Sequence, residues 1–175
     1  MSVTVWDVTT DIGVAVFSCR LQEAPGNQRS DFRPFWGAGC HLSREVAFIR
    51  AVTEAAQSRL TYIAGSRDDL YRKYYQRKKS PSLFSYVHDV WEQKLAKTRF
   101  NDVPSEAGPS FEADRDLVLD KLRACGIEQV AVVDLTDERF EIPVVRVIVP
   151  GLESEPAYTH VRPGARARSW SVGSR

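Results

Sequence analysis

Arg50, Glu54 and Gln57 stand at i, i+4 and i+7 in the stretch "SREVAFIRAVTEAAQSRLTYIAG". At about 100° per residue, the three fall within an arc of roughly 60° on one helix face. Arginine matches phosphate oxygens with a planar fork, a carboxylate is an oxygen ligand for Mg2+, and an amide can bind a ribose or a phosphate. Such a stripe could hold part of a nucleotide and its magnesium. The same spacing also describes a solvated face, with Arg50 and Glu54 forming an i,i+4 pair worth ~0.3 kcal/mol. Spacing alone leaves both readings open.

The helix that must carry the stripe has clear ends. Ser43 is placed to cap its N-terminus, Glu45 sits in the first turn where an anion is favoured, and Gly65 stops it after about Ile63. Phe48, Ile49, Val52, Ala56, Leu60 and Ile63 gather opposite the stripe in an arc of roughly 120°, which reads as the packing face. Small residues at Ala51, Ala55, Ala56 and Ser58 keep the surface low enough for a bulky ligand to approach. Arg59 falls inside the apolar arc, so it must be paired or reach a charged ligand. Ahead of the helix, "GAG" at 37–39 reads as a glycine-flanked loop, and it lacks the third glycine and preceding strand of a dinucleotide loop.

Around this helix the pattern alternates between strands and helices. "VTVWDV" and "GVAVFSCRL" read as strands joined by "TTDIG", and residues 22–36 as a loop. Helical stretches are expected over Arg67–Lys79 and from Leu83 to about Lys97, and 101–110 has the composition of a mobile loop. "FEADRDLVLDKLRACG" is amphipathic, with Leu117, Leu119, Leu122 and Ala124 as buried candidates, and it runs directly into the strand "EQVAVVDLT". A last strand, "IPVVRVIV", ends at Pro150 and Gly151. Strand, Asp, aliphatic, Thr, turn and strand recur in "VWDVTTDIGVAVFSCRL" and "VVDLTDERFEIPVVRVIV". The expected fold is α/β, with α+β as the variant: a mixed sheet carrying two similar β-turn-β units and packed helices. It fills residues 1–153, with a flexible or extended tail over 154–175.

Composition narrows the function classes. With 175 residues the chain has room for one core. Its 24 Lys and Arg nearly balance 23 Asp and Glu, which gives no support to a nucleic-acid or membrane-surface partner. No apolar run is long enough for a membrane span, and the first ten residues do not form a secretion signal. Three scattered cysteines, Cys19, Cys40 and Cys125, fit reduced thiols and a cytoplasmic setting.

The stretch "GAGCHLSREVAFIRAVTEAAQSRLTYIAGSRDDL" resembles the YcaO superfamily in its Gly-x-Gly, Ala-x-x-Arg-Ala-x-x-Glu-x-x-Gln-x-Arg and Gly-x-Arg-Asp-Asp segments. "DVTTDIGVAVF" and "IPVVRVIVPGLE" are similar to the segments that flank this helix in the family. The resemblance implies ATP and Mg2+ as ligands. It also implies phosphorylation of a peptide backbone amide, so that sulfide or a Cys, Ser or Thr side chain can displace the activated oxygen. Thioamides or azolines in ribosomally made peptides would be the products, often with a TfuA-type partner protein. By the resemblance Glu54 is the metal ligand, Gln57 contacts the nucleotide, and Arg146 lies near the phosphates. Arg50, Arg59 and Arg67 occupy recurring motif positions around the nucleotide.

The chain also departs from the family pattern. We find no counterpart of the family's serine- and glycine-containing first segment or of its Glu-x-x-Glu helix, so the expectation is a C-terminal portion or a split-gene product, inactive alone. "PGARARSWSVGSR" is not the proline-rich tail of many azoline-forming members. A different class of function is also compatible with these departures: a non-catalytic assembly module that keeps the fold and pairs with a partner or with itself. Cys40 and His41 are chain neighbours and poorly placed as a nucleophile and base. His88 and His160 are isolated, and "RKYYQRKK" reads chiefly as a solvated helix face.

Overall fold

The computed structural model describes residues 1–23, 34–65 and 97–152, together with Arg166. Apart from Lys97 and Arg166, the expected helices over 67–79 and 83–97 and the tail over 154–175 lie outside these residues, as do Arg67, His88 and His160. Contacts divide the chain into two compact units, Met1–Val118 and Leu119–Arg175.

The first unit is a three-stranded antiparallel sheet with one long helix. Strand β1 (Ser2–Asp7) pairs with β2 (Ala15–Gln22), and β2 pairs with β3 (Phe35–His41), in the order β1-β2-β3. Residues 37–39, expected as a loop, are strand: Gly37 lies opposite Cys19 and Gly39 opposite Phe17. Helix α1 (Arg44–Ala64) follows at once. The Ser43 hydroxyl accepts from Val46 N, and Gly65 closes the helix at φ 61, where glycine carries no Cβ penalty.

Alternation puts Ala15, Phe17, Cys19 and Leu21 of β2 on the face toward α1, where all four are buried with Phe35, Ala47, Ala51, Ala55 and Val103. Phe17 meets Phe48 edge-on at 5.7 Å, and Phe35 meets Tyr62 at 5.6 Å. On the other face Trp6 and Trp36 lie 6.0 Å apart, and the Arg20 guanidinium sits over both rings. The buried side of α1 is a correction. Ile49, Leu60 and Ile63 are exposed, whereas Ala47, Ala51 and Ala55 are completely covered. The centre of the alanine face lies roughly a third of a revolution from the face its large apolar residues suggest.

The stretch that begins at Phe100 also contributes to the core. A 3-10 turn at Phe100–Asp102 stacks Phe100 on Phe17, and Val103 is buried in the core.

Helix α2 (Phe111–Ala124) spans the boundary between the units, and Gly126 follows it at φ 76. Leu122 is buried, Leu117 and Leu119 are half-buried, and Ala124, expected inside, is exposed on the helix's last turn. In the second unit β4 (Ala131–Asp134) pairs antiparallel with β5 (Val145–Ile148). Every strand ladder among the described residues is antiparallel.

The sequence echo is a repeated hydrogen-bond set. Asp7 Oδ1 accepts from Thr9 N at 3.0 Å, and Asp134 Oδ1 accepts from Thr136 N at 2.8 Å. Thr9 Oγ1 accepts from Val16 N, and Thr136 Oγ1 from Val144 N, both at 3.1 Å. The Asp side chain turns the strand end and the Thr hydroxyl extends the ladder by one bond, so the two β-turn-β units share one local solution.

Candidate functional site

The glycines of β3 determine how α1 lies. A Cβ built on Gly37 would collide with Ala51 O and Ala55 N, and one on Gly39 with Ala47 O and Ala51 N. Backbone therefore packs directly on backbone, with Ala47, Ala51 and Ala55 filling the helix side. The small residues at 51 and 55, expected to admit a ligand, admit the strand instead.

Because the helix lies so low, side chains on its flank reach backbone groups on the edge of β3 that faces away from β2. Arg50 Nη1 donates to Cys40 O at 3.3 Å, Glu54 Oε2 accepts from Ala38 N at 3.0 Å, and Ser58 Oγ donates to Trp36 O at 3.1 Å. The stripe thus runs antiparallel to the strand and bonds alternate residues on the side away from β2. Arg50, Glu54 and Gln57 are all exposed. The structure keeps the three residues on one flank and gives two of them backbone partners. Ser58, noted in the sequence only for its small size, is the third rung.

A second polar cluster fixes the start of α1. Arg44 Nη1 donates to Asn101 O and Val103 O, and Arg44 N donates to the Ser105 hydroxyl. Ser43 and Ser105 hydroxyls both donate to Glu45 Oε2, at 2.8 and 3.1 Å. The Glu45 carboxyl is held down at about 2, chiefly by its own backbone N–H at the helix start, with Ser43, Ser105 and Arg44 adding to it. A folded value below the unfolded one means that the stabilisation is complete above about 4.5 and disappears as pH falls toward 2. Between those limits Glu45→Gln is expected to flatten the fall of the melting temperature with acid, read by circular dichroism against the unchanged protein.

Arg59, flagged by its place in the apolar arc, is paired: its Nη2 meets Glu23 Oε1 at 2.8 Å, with the glutamate nearly covered. Arg146 is exposed on β5 in the second unit, opposite Val133. Cys40 and His41, as strand neighbours, point to opposite faces. The His41 Nδ1 is occupied by Ser43 N, and desolvation raises the Cys40 thiol above its ordinary value despite Arg50. Neither observation suits a nucleophile with its base.

The profile of the family described as YcaO cyclodehydratase, ATP- and Mg2+-binding, matches residues 1–153. The chain belongs to the YcaO family. Among YcaO relatives it is 37% identical over 172 residues to a protein of Rhizobium leguminosarum bv. trifolii known as an uncharacterized protein in the tfuA 3' region, covering 95% of this chain and 40% of that one. It is 38% identical over 154 residues to an uncharacterized protein of Methanothermobacter thermautotrophicus, covering 87% and 39%. The chain therefore spans about two fifths of the length of these relatives. Its fold is similar to that of a heterocyclase in complex with substrate and cofactor, at TM-score 0.68, 24% identity, and coverage of 85% of this chain and 19% of that one. The same fold occurs in the YcaO of Methanopyrus kandleri bound with AMPPCP and Mg2+, at TM-score 0.63, 22% identity, and coverage of 85% and 39%.

One side chain of the stripe has the donor type that magnesium takes. Magnesium usually takes one or two protein carboxylates and fills its remaining positions with phosphate oxygens and water. Glu54 offers that donor type on an exposed surface, with one oxygen fixed by Ala38 N. Among the described residues no cluster of three or more His, Cys, Asp or Glu side chains forms a self-contained cage. No helix among them is long and apolar enough to cross a membrane.

Proposed function

We propose that this chain supplies one wall of an ATP- and Mg2+-dependent YcaO site at which a peptide backbone amide is phosphorylated on oxygen. ATP, when bound, provides the phosphoryl group, and sulfide or a side-chain nucleophile then displaces phosphate to leave a thioamide or an azoline in a ribosomal peptide. Glu54 contributes a metal ligand through Oε1, Gln57 binds the ribose or a phosphate, and Arg50 offers positive charge on the same flank. Arg59, Arg67 and Arg146 belong to this reading through the family resemblance. The observation that carries it is the Glu54 carboxylate, exposed and oriented by Ala38 N at 3.0 Å. The family description and the nucleotide-bound relative from Methanopyrus kandleri support it. A TfuA-type partner fits the tfuA-region naming of the Rhizobium relative.

A second reading, a non-catalytic assembly module, is favoured by the hairpin β4–β5. Val132, Val133, Val145, Val147 and Ile148 are all between 42% and 62% exposed there. An isolated two-stranded hairpin is marginal in water, so such a surface suits pairing. Titration calorimetry of the full-length protein with ATP separates the readings. Binding that requires Mg2+, together with phosphate release stimulated by a peptide substrate, is expected. Neither signal, in a folded protein that self-associates, establishes the second reading.

A further inference from the structure

We infer that Ser58 is a positioning residue for Glu54, acting through β3; this rests on the reading of Glu54 as a metal ligand. The geometry of two regular structures carries it. Four helix residues rise about 6.0 Å and two strand residues about 6.8 Å. A helix lying antiparallel on a strand can therefore bond every fourth side chain to every second backbone group with a drift of only about 0.8 Å per step.

Here the steps are Arg50 to Cys40, Glu54 to Ala38 and Ser58 to Trp36. The middle rung is the functional one, and its partner is a backbone N–H that cannot move without the strand. Ser58 reaches Trp36 O only because Gly37 admits the backbone of Ala51 and Ala55. With the short, half-buried Ser58 rung in place, Ala38 N–H is held opposite Glu54, which commits Oε2 and leaves Oε1 for a ligand. Without it, the stretch of β3 beside Ala38 loses one of its ties to α1 while its pairing with β2 stays, and the carboxylate is aimed less tightly.

The test compares Mg2+ dependence across three variants of the full-length protein, using nucleotide binding by titration calorimetry at stepped MgCl2 beside ATP turnover. Partners that orient metal ligands are commonly worth 10–100-fold in metal affinity, so Ser58→Ala is expected to raise the half-saturating Mg2+ about tenfold. Ser58→Thr keeps the hydroxyl and is expected to stay within about twofold of the unchanged protein. Alanine is the better helix former, so α1 persists; should Ser58→Ala fail to fold, Ser58→Cys keeps the volume and serves in its place. A purely structural Ser58 would lower the melting temperature of Ser58→Ala and leave the Mg2+ curve where it was, which overturns the inference. If Glu54→Gln shifts the curve and Ser58→Ala does not, the inference fails and Glu54 keeps its role. If Glu54→Gln leaves the curve unmoved, the reading of Glu54 as a metal ligand fails, and the positioning role with it.

Discussion

Gly39→Ala is expected to cost ~3 kcal/mol of stability, enough to deplete much of the margin of a domain that holds only ~5–15 kcal/mol. The added methyl would meet Ala47 O and Ala51 N, both backbone atoms inside α1. A flexible side chain could swing aside; a helical carbonyl can move only by lifting the helix. Lifting α1 would also uncover Ala47, Ala51 and Ala55 and stretch the three bonds to β3. Trimming the facing side chain by Ala51→Gly is therefore expected not to rescue Gly39→Ala. Gly37→Ala should behave alike, since its obstacles are Ala51 O and Ala55 N. Gly65→Ala makes the contrast: its Cβ would meet nothing within 4 Å, and only the φ of 61 opposes it, at ~1 kcal/mol. Urea midpoints for the four variants check the ordering. A Gly39→Ala protein within ~0.5 kcal/mol of the unchanged one would show that α1 does not rest on β3 as described.

That contact also explains what the sequence revealed and what it concealed. The ends of α1 were legible because capping is local: Ser43 and Gly65 act within one turn of themselves. The two hairpins were legible because Asp-aliphatic-Thr builds its bonds within a few residues. The buried face of α1 was misread because a hydrophobic ranking favours Ile49, Leu60 and Ile63 over alanines. Whether alanine is wanted depends on the partner, and the partner is a Gly-x-Gly strand that itself reads as a loop. The two errors have one origin, since small residues on each element become meaningful only when seen together. Phe100 and Val103 were hidden for a similar reason, lying in a stretch whose prolines, serines and glycine signal a loop while one valine fills the core.

The candidate site divides in the same way between what is local and what is not. Chain chemistry picked out Arg50, Glu54 and Gln57, and it demanded a partner for Arg59 without naming Glu23, 36 positions away. Ser58 carried a usable signal: 50, 54 and 58 continue at four-residue spacing beside a glycine strand. What no local pattern could supply is the identity of the backbone groups, Cys40 O, Ala38 N and Trp36 O, that those side chains meet.

Glu54→Gln is the variant with the largest expected effect on activity. The amide keeps an oxygen acceptor for Ala38 N, has nearly the volume of the carboxylate and sits at an exposed position, so stability should change by no more than ~0.5 kcal/mol. Its loss is the negative charge and the anionic oxygen, the properties that Mg2+ requires of a ligand. Peptide-dependent ATP turnover is therefore expected to fall by roughly a hundredfold or more, with part of the loss recovered at high Mg2+, because a weakened site can still be filled by mass action. Glu54→Asp sharpens the test. It keeps the charge but is one methylene shorter, so it must give up either Ala38 N or the metal, and an intermediate loss is expected. The order unchanged protein, Asp, Gln in turnover, at equal melting temperature, would mean that charge and reach both matter at this position. A Gln variant as active as the unchanged protein would make the stripe no more than an edge cap for β3, with the magnesium held elsewhere in the YcaO fold.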